Sequence, residues 1–327
     1  MQTKHLFCQF VIVMVLLLTL GTVGVLAQVE FINIATGSAG GTYFPIGTAI
    51  ANLWNQEVDN IRASAMESPG SVTNVVMLRD GEADFAITMC NVADAAFHGR
   101  GDYEGNPNKG FRAVTALWPN VVHIQVLPEI KDIMDLAGKR YSMGPTGSGV
   151  GMMDSPQILG TFGLFGEEQD DIANVIPEYV PYQESTVALQ NRRVAGATNV
   201  SYPPAGTVSE LLASTDCHLL SITQEQIAKL QENYSHFFEY TITAGTYPNQ
   251  DEDVHTLGYA NYFSVRADMS EDLVYTLTKT LFENVEKIYS VHPATRDIKL
   301  DNATVGVGID FHEGAIRYYK EVGIWKD

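Results

Sequence analysis

The chain has 327 residues, 45% of them hydrophobic and 10% aromatic, enough for two domains with real cores, which excludes a disordered chain. With 39 acids against 20 bases the formal charge is −19, which makes a nucleic-acid backbone an excluded partner. An acidic total does not exclude a small anion, because a local cluster of backbone N–H groups can hold one.

The first 27 residues differ in kind from the rest. Lys4 gives a weakly positive start, residues 10–20 are an almost unbroken apolar run, and "GVLA" sets Val25 and Ala27 at the small-residue positions of a cleavage site. That is the layout of a secretory leader. About eleven apolar residues are short for a membrane span of roughly 20. Cleavage near Ala27 is therefore expected over a retained anchor, with the mature chain periplasmic or otherwise extracytoplasmic. The leader carries one lysine and no acid, so its loss makes the chain more acidic still.

Beyond it, "VEFINIA" predicts a strand and "FPIGTAIANLWNQE" a helix. "IRASAMES" and "ADFAITM" read as strands, each followed by a helical pattern: "GSVTNVVMLRDG", ending at Gly81, and "NVADAAFHG". Strand and helix in alternation is the signature of a mostly parallel sheet covered on both faces. "RAVTALW" and "VVHIQVL" predict two further strands separated at Pro119.

A second series opens near Lys131. A short helix leads to the strand around "KRYSMG", and "GPTGSGVGMMDSPQILGTFGL" reads as a loop opening into a helix. "VIPEYVPY", "AGATNVS" and "CHLLSI" predict strands, with "STVALQNRRV" and "AGTVSELLAST" as helices between them. Toward the carboxyl end "LGYANYFSVRA" is strand-like, Ser270 can cap a helix over "EDLVYTLTKTLFENVEKIYSV", and "HEGAIRYYKEVGIW" is a last short helix. Two α/β units of similar order, with no long linker between them, imply lobes joined by a hinge of several crossings. Cys90 and Cys217 fall in different units. A bond between them would restrain that hinge, so two reduced, buried thiols are expected.

Each unit places a Gly/Ser/Thr-rich loop between a strand and a helix: "TGSAGGTY" (residues 36–43) and "GPTGSGVG" (residues 144–151). Helix starts carry unpaired N–H groups and a positive dipole end, and glycine lets a ligand reach them. Two such loops in matched units predict a cleft that holds a carboxylate or phosphate. The enzyme patterns fail at the same places. Gly37, Gly40 and Gly41 do not make GxGxxG, Met152 stands where the second loop would need its third glycine, and no lysine completes a P-loop. Ser148 lacks the flanking glycines of a nucleophile elbow. The histidines show no metal pair, and "NQDEDVH" (Asp251, Glu252, Asp253, His255) reads as a solvated acidic turn. No catalytic residue, metal or cofactor is called for, and a secreted α/β enzyme would need a nucleophile–base pair that these motifs do not supply.

The order of motifs resembles the TAXI type of TRAP transporter solute-binding protein over nearly the whole mature chain. The resemblance rests on "IATGSAGGTYFPIGTAIANLWN", "SPGSVTNVVMLRDGEADFAI", "GPTGSGVG", the stretch from "TYPNQDEDVH" through "TLTKTLFEN", and the closing "HPATRDI" and "FHEGAIRYYKEVG". It implies an α/β, bilobed periplasmic-binding-protein-like fold, with two domains, a multi-crossing hinge and the ligand cleft between them. Lobe 1 would comprise residues 28–120 and 246–327, and lobe 2 residues 121–245. The implied function is a monomeric extracytoplasmic receptor that closes on a small anionic or zwitterionic ligand, glutamate-like or a 2-oxoacid, and delivers it to a TRAP membrane permease. The alternative is a ligand-sensing module of the same fold that feeds a signalling receptor.

The resemblance places ligand contacts at Ser38, Gly41, Thr42 and Tyr43 in the first loop. Ser68, Ser71 and Asn74 stand in the second, and Thr146, Gly147 and Ser148 across the cleft. Tyr43 either stacks on the ligand and offers its hydroxyl or is a cleft-wall aromatic. Asn91 stands in "MCN", where Gln-x-Asp is common. Val150 replaces a usual threonine, and Ala195 and Gly196 a usual Asp-Ala pair. Asn91, Asn199 and Tyr202 are expected to set specificity with Tyr43, the last two by position alone.

Overall fold

A computed structural model describes residues 29–166 and 174–325. The expected leader lies outside the described residues. Among the described residues, no helix is long and apolar enough to cross a membrane.

The first series folds as the patterning predicts: β1 (Glu30–Ala35), α1 (Tyr43–Glu57), β2 (Ile61–Met66), α2 (Ser71–Asp80), β3 (Phe85–Met89) and α3 (Cys90–His98). Gly81 ends α2 in the left-handed region, as its position suggested. β3 is buried along its whole length, with Phe85 and Ile87 in one core and Ala86 in the other, so the sheet is covered on both faces.

The predicted break at Pro119 does not occur. β4 runs unbroken from Phe111 to Val126. Its partner is β10 (Val254–Arg266), antiparallel, and the register shifts between the Ala260–Pro119 and Tyr262–Ala116 pairs. This bulge falls just before Pro119 and loosens the ladder where a residue without an N–H has to be accommodated. Beyond β4 come β5 (Arg140–Ser142), α4 (Ser155–Thr161), β6 (Ile176–Glu178), α5 (Tyr182–Gln190), β7 (Gly196–Ser201), α6 (Gly206–Ser214) and β8 (His218–Leu219). The patterning above does not assign α7 (Gln224–Asn233) or β9 (Phe238–Ile242). The signal for α7 was present: Thr223 and Gln226 form a reciprocal capping box.

The strand order is β2-β1-β3-β10-β4-β7-β5-β6, with β8 on β4 and β9 on β10. β1 and β3 are parallel, as are β7, β5 and β6. The two long strands bring these parallel sets together. β4 pairs with β10 at its start and with β7 over residues 121–126, whereas β10 pairs with β9 at its start and with β3 at its end. Each long strand thus spends one end in each lobe, which makes the fold two-lobed with the crossings in its centre.

α8 (Glu271–Asn284) is capped by Ser270, whose Oγ accepts from the Leu273 N–H at 3.1 Å. It packs with α9 (Glu313–Glu321) on the first lobe. Trp54 of α1 donates its indole N–H to the Leu277 carbonyl at 3.0 Å, and its ring meets Phe85 at 5.0 Å. A second core lies under α4–α7 and extends beneath α2 and α3. Cys90 and Cys217 are free and buried, as expected.

Candidate functional site

Three helix starts converge on one small cavity: the β1–α1 loop at residues 37–43, the start of α2 at 69–71, and the β5–α4 loop at 145–150. The third loop enters a π-helical turn, Val150–Asp154, that leads into α4, and none of the three first turns (of α1, α2 and this turn) carries an acidic residue or a side-chain cap. Their positive ends therefore face the cavity, with the buried Asp154 carboxyl behind the third turn. Asn120, Tyr182, Met89 and Val200 complete the wall. No Lys, Arg, His, Asp or Glu lines it among the described residues.

The two lobes meet directly here. The Thr73 N–H donates to the Gly147 carbonyl at 3.0 Å, with the Thr73 hydroxyl on the same oxygen at 3.2 Å. On the other side of the cavity the Tyr202 N–H donates to Thr42 Oγ1 at 3.1 Å. The cavity between these latches has a volume of about 40 Å³. That is far below the roughly 300–1,000 Å³ of an ordinary ligand pocket, so the jaws must part to admit anything larger than a few waters.

Of the residues expected from the sequence, Ser38, Gly41, Thr42, Tyr43, Ser71 and Ser148 line this cavity. Several have their hydroxyls committed within the protein. Tyr43 donates to Asn261 Oδ1 and accepts from Asn120 Nδ2 at 3.0 Å, so its ring faces the cavity while its hydroxyl is held. Burial raises its ionisation well above the ordinary tyrosine range. Ser148 donates to the Pro145 carbonyl at 2.6 Å and accepts from the Gly151 N–H at 2.9 Å, holding its own loop in shape. Ser71 accepts from the Met89 N–H at 3.0 Å. What these loops offer a ligand is chiefly backbone N–H.

The other expected residues lie elsewhere. Ser68 and Thr146 border a neighbouring open depression with Ser38, Pro69 and Pro145. Asn74 is fully buried beneath the loops. Its amide donates to the Thr36 and Ile87 carbonyls at 2.6 and 2.8 Å, and its carbonyl accepts from Ser68 at 2.6 Å. Gly147 touches Thr73 rather than the cavity. Asn199 bonds Thr207 and Ser201 within the second lobe, and the Tyr202 ring leans on His292. Asn91 turns away to a separate opening, donating to Asp154 Oδ1 at 2.9 Å.

Asp154 was not singled out in the sequence. Its carboxyl is fully buried at the foot of α4, bonded by Asn91 of the first lobe and by the Tyr259 hydroxyl of β10. Desolvation pushes it up from the carboxylate range to about 7, against the opposing pull of those two bonds. Asn120 and Tyr182 were missed as well. Asn120 stood in plain view as the one amide in the apolar run "VTALWPNVVHI", but nothing local says which way it points.

A family model described as the NMT1-like family matches residues 34–323. Among solved structures, a protein of Bordetella bronchiseptica RB50 is similar at 14% identity, with 89% of this chain and 88% of that one covered and a TM-score of 0.50. A protein of Xanthomonas citri, solved with ATP bound, is similar at 10% identity over 89% and 95% of the two chains, with a TM-score of 0.51. At these identities the likeness concerns the fold alone. The periplasmic aliphatic sulphonate binding protein SsuA of Escherichia coli is 13% identical over 82% of this chain and 74% of that one, with a TM-score of 0.42. The family match spans nearly the whole described chain, so the protein belongs to the NMT1-like family. The TAXI type is a finer distinction than this match draws.

Proposed function

We propose, taking that membership as premise, that the chain is an extracytoplasmic solute receptor of the TAXI type that closes on a small carboxylate or amino acid and presents it to a TRAP membrane permease. The observation that carries this reading is the convergence of three helical first turns without acidic residues on one inter-lobe cavity. A carboxylate placed there would be held by backbone N–H groups and helix dipoles, with no counter-cation needed. Closure would then form the Thr73–Gly147 and Tyr202–Thr42 contacts, so a ligand that favours the closed state shifts the population towards it. A permease can read that shape without touching the ligand.

The site supports binding rather than turnover, because the Tyr43 hydroxyl is held by Asn261 and Asn120 and the Ser148 hydroxyl by its own loop. The resemblance that names the permease also favours a glutamate-like or 2-oxoacid ligand, and the expected leader would place the protein outside the cytoplasm. Calorimetric titration of the mature protein, unfolded and refolded to strip carried ligand, tests the reading. The ligands are glutamate, glutamine, 2-oxoglutarate, C4 dicarboxylates and small neutral amino acids. One-to-one micromolar binding to at least one is expected. Silence from folded protein across all of them would refute it.

A further inference from the structure

Asn120 lines the cavity, is 2% exposed, and has a side-chain oxygen with no hydrogen-bond partner. A chain of bonds determines which end of the amide is free. Asn261 Nδ2 donates to the Trp118 backbone carbonyl at 3.1 Å, and a carbonyl can only accept. The other end of Asn261 must then be its oxygen, and Asn120 Nδ2 donates to that oxygen at 2.6 Å. The same Asn120 nitrogen donates to Tyr43, whose own proton goes to Asn261. Flipping Asn120 would set two carbonyl oxygens face to face, so its Oδ1 is the unpaired acceptor.

An unpaired buried acceptor is costly and uncommon in folded proteins. Asn120, which carries it, lines the cavity that the helix starts make attractive to a carboxylate. One ligand in this cavity would meet both Asn120 and the loop amides, so a donor for Asn120 and a carboxylate for the amides are expected on the same small molecule. No Lys, Arg or His lines the cavity among the described residues to receive a second carboxylate. Asp154 lies close enough to act on both Tyr43 and Tyr182 in the cavity wall, and in its ionised form it opposes further negative charge while favouring an ammonium group.

We infer that Asn120 is a specificity-determining residue whose Oδ1 accepts from the 2-ammonium group of a small 2-amino monocarboxylate, selecting it over the matching 2-oxoacid and over dicarboxylates. This rests on the reading of the cavity as the ligand site and narrows its ligand class. A ligand without the donor leaves the buried oxygen unpaired.

The test uses pairs that differ at one position. The refolded mature protein is titrated by calorimetry with glycine, L-alanine and L-serine, with pyruvate as the oxo partner of alanine, and with L-glutamate and 2-oxoglutarate. L-alanine is expected to bind about tenfold or more tightly than pyruvate, and more tightly than L-glutamate. In Asn120→Leu the alanine-to-pyruvate ratio should fall to about one. A merely structural role would weaken both ligands together and leave the ratio unchanged. The wild-type ratio needs no variant to fold, so a failed variant does not remove the test. Pyruvate or L-glutamate binding as tightly as L-alanine overturns the inference and leaves the solute-receptor reading standing. Silence to every 2-amino monocarboxylate also overturns it, and the receptor reading falls too only if the dicarboxylates and oxoacids are silent as well.

Discussion

Replacing Asp154 with asparagine should change how stability depends on pH. The carboxyl is fully buried, and its position near pH 7 means that the folded state holds a proton that the unfolded chain has released above pH 3.8. Folded-state proton binding exceeds unfolded binding between those values, so this group's contribution falls as pH rises from about 4 to about 7 and is flat above. With those two values the linkage relation gives a loss of roughly 2–3 kcal/mol between pH 5 and pH 8. The substituted amide would resemble the protonated acid, its oxygen accepting from Asn91 and its nitrogen donating to Tyr259. The groups facing Asp154 include the Cys90 thiol, which burial and the carboxyl push up to about 12, along with Tyr43, Tyr182 and Tyr259, all raised by burial. His236, which sits 3.4 Å from the Asn91 amide, is pushed down to about 4 by burial and stays neutral over the range tested. His123, likewise held at about 4, is common to both proteins. Each buried histidine contributes the opposite slope, because its stability is lost as pH falls from its ordinary value toward 4. These terms cancel in the difference. Urea denaturation of wild type and Asp154→Asn at pH 5, 6, 7 and 8 should therefore show the variant gaining on wild type across the series. Parallel pH profiles would refute the desolvation argument.

Other substitutions bear on the loops and their support. Gly70 sits at φ +133°, and a Cβ there would lie 3.2 Å from that of Ser148 on the facing loop, so Gly70→Ala should cost about 1–3 kcal/mol in urea denaturation. It should also weaken ligand binding by propping the jaws apart, and unchanged affinity would mean that this approach is not part of closure. Asn74→Ala removes the donor that pairs two buried carbonyls and should cost roughly 3 kcal/mol. A loss below about 0.5 kcal/mol would refute this, showing that the two carbonyls are satisfied without the amide.

Much of the fold was legible in the sequence because the patterns that specify it are local. Apolar period, glycine stops, caps such as Ser270 and the paired Gly/Ser/Thr loops place nearly every strand and helix within a few residues. The same patterning predicts that helix starts will face a ligand, since the chain must turn from a strand end into a helix at those glycines. What it could not decide were matters of register and direction. Pro119 reads as a break until β10 pairs with β4 through a bulge beside it, about 140 residues away in sequence. Tyr43, Ser71 and Ser148 do reach the cavity, yet their hydroxyls are taken by Asn261, Met89 and Pro145, partners that no spacing rule names. Asn91 and Asn120 look alike in the sequence as amides among apolar residues. The tertiary structure turns one to a buried carboxyl and places the other in the cavity wall with an unpaired oxygen. Secondary structure follows from near neighbours, whereas the free end of an amide depends on which distant strand has already satisfied its other end.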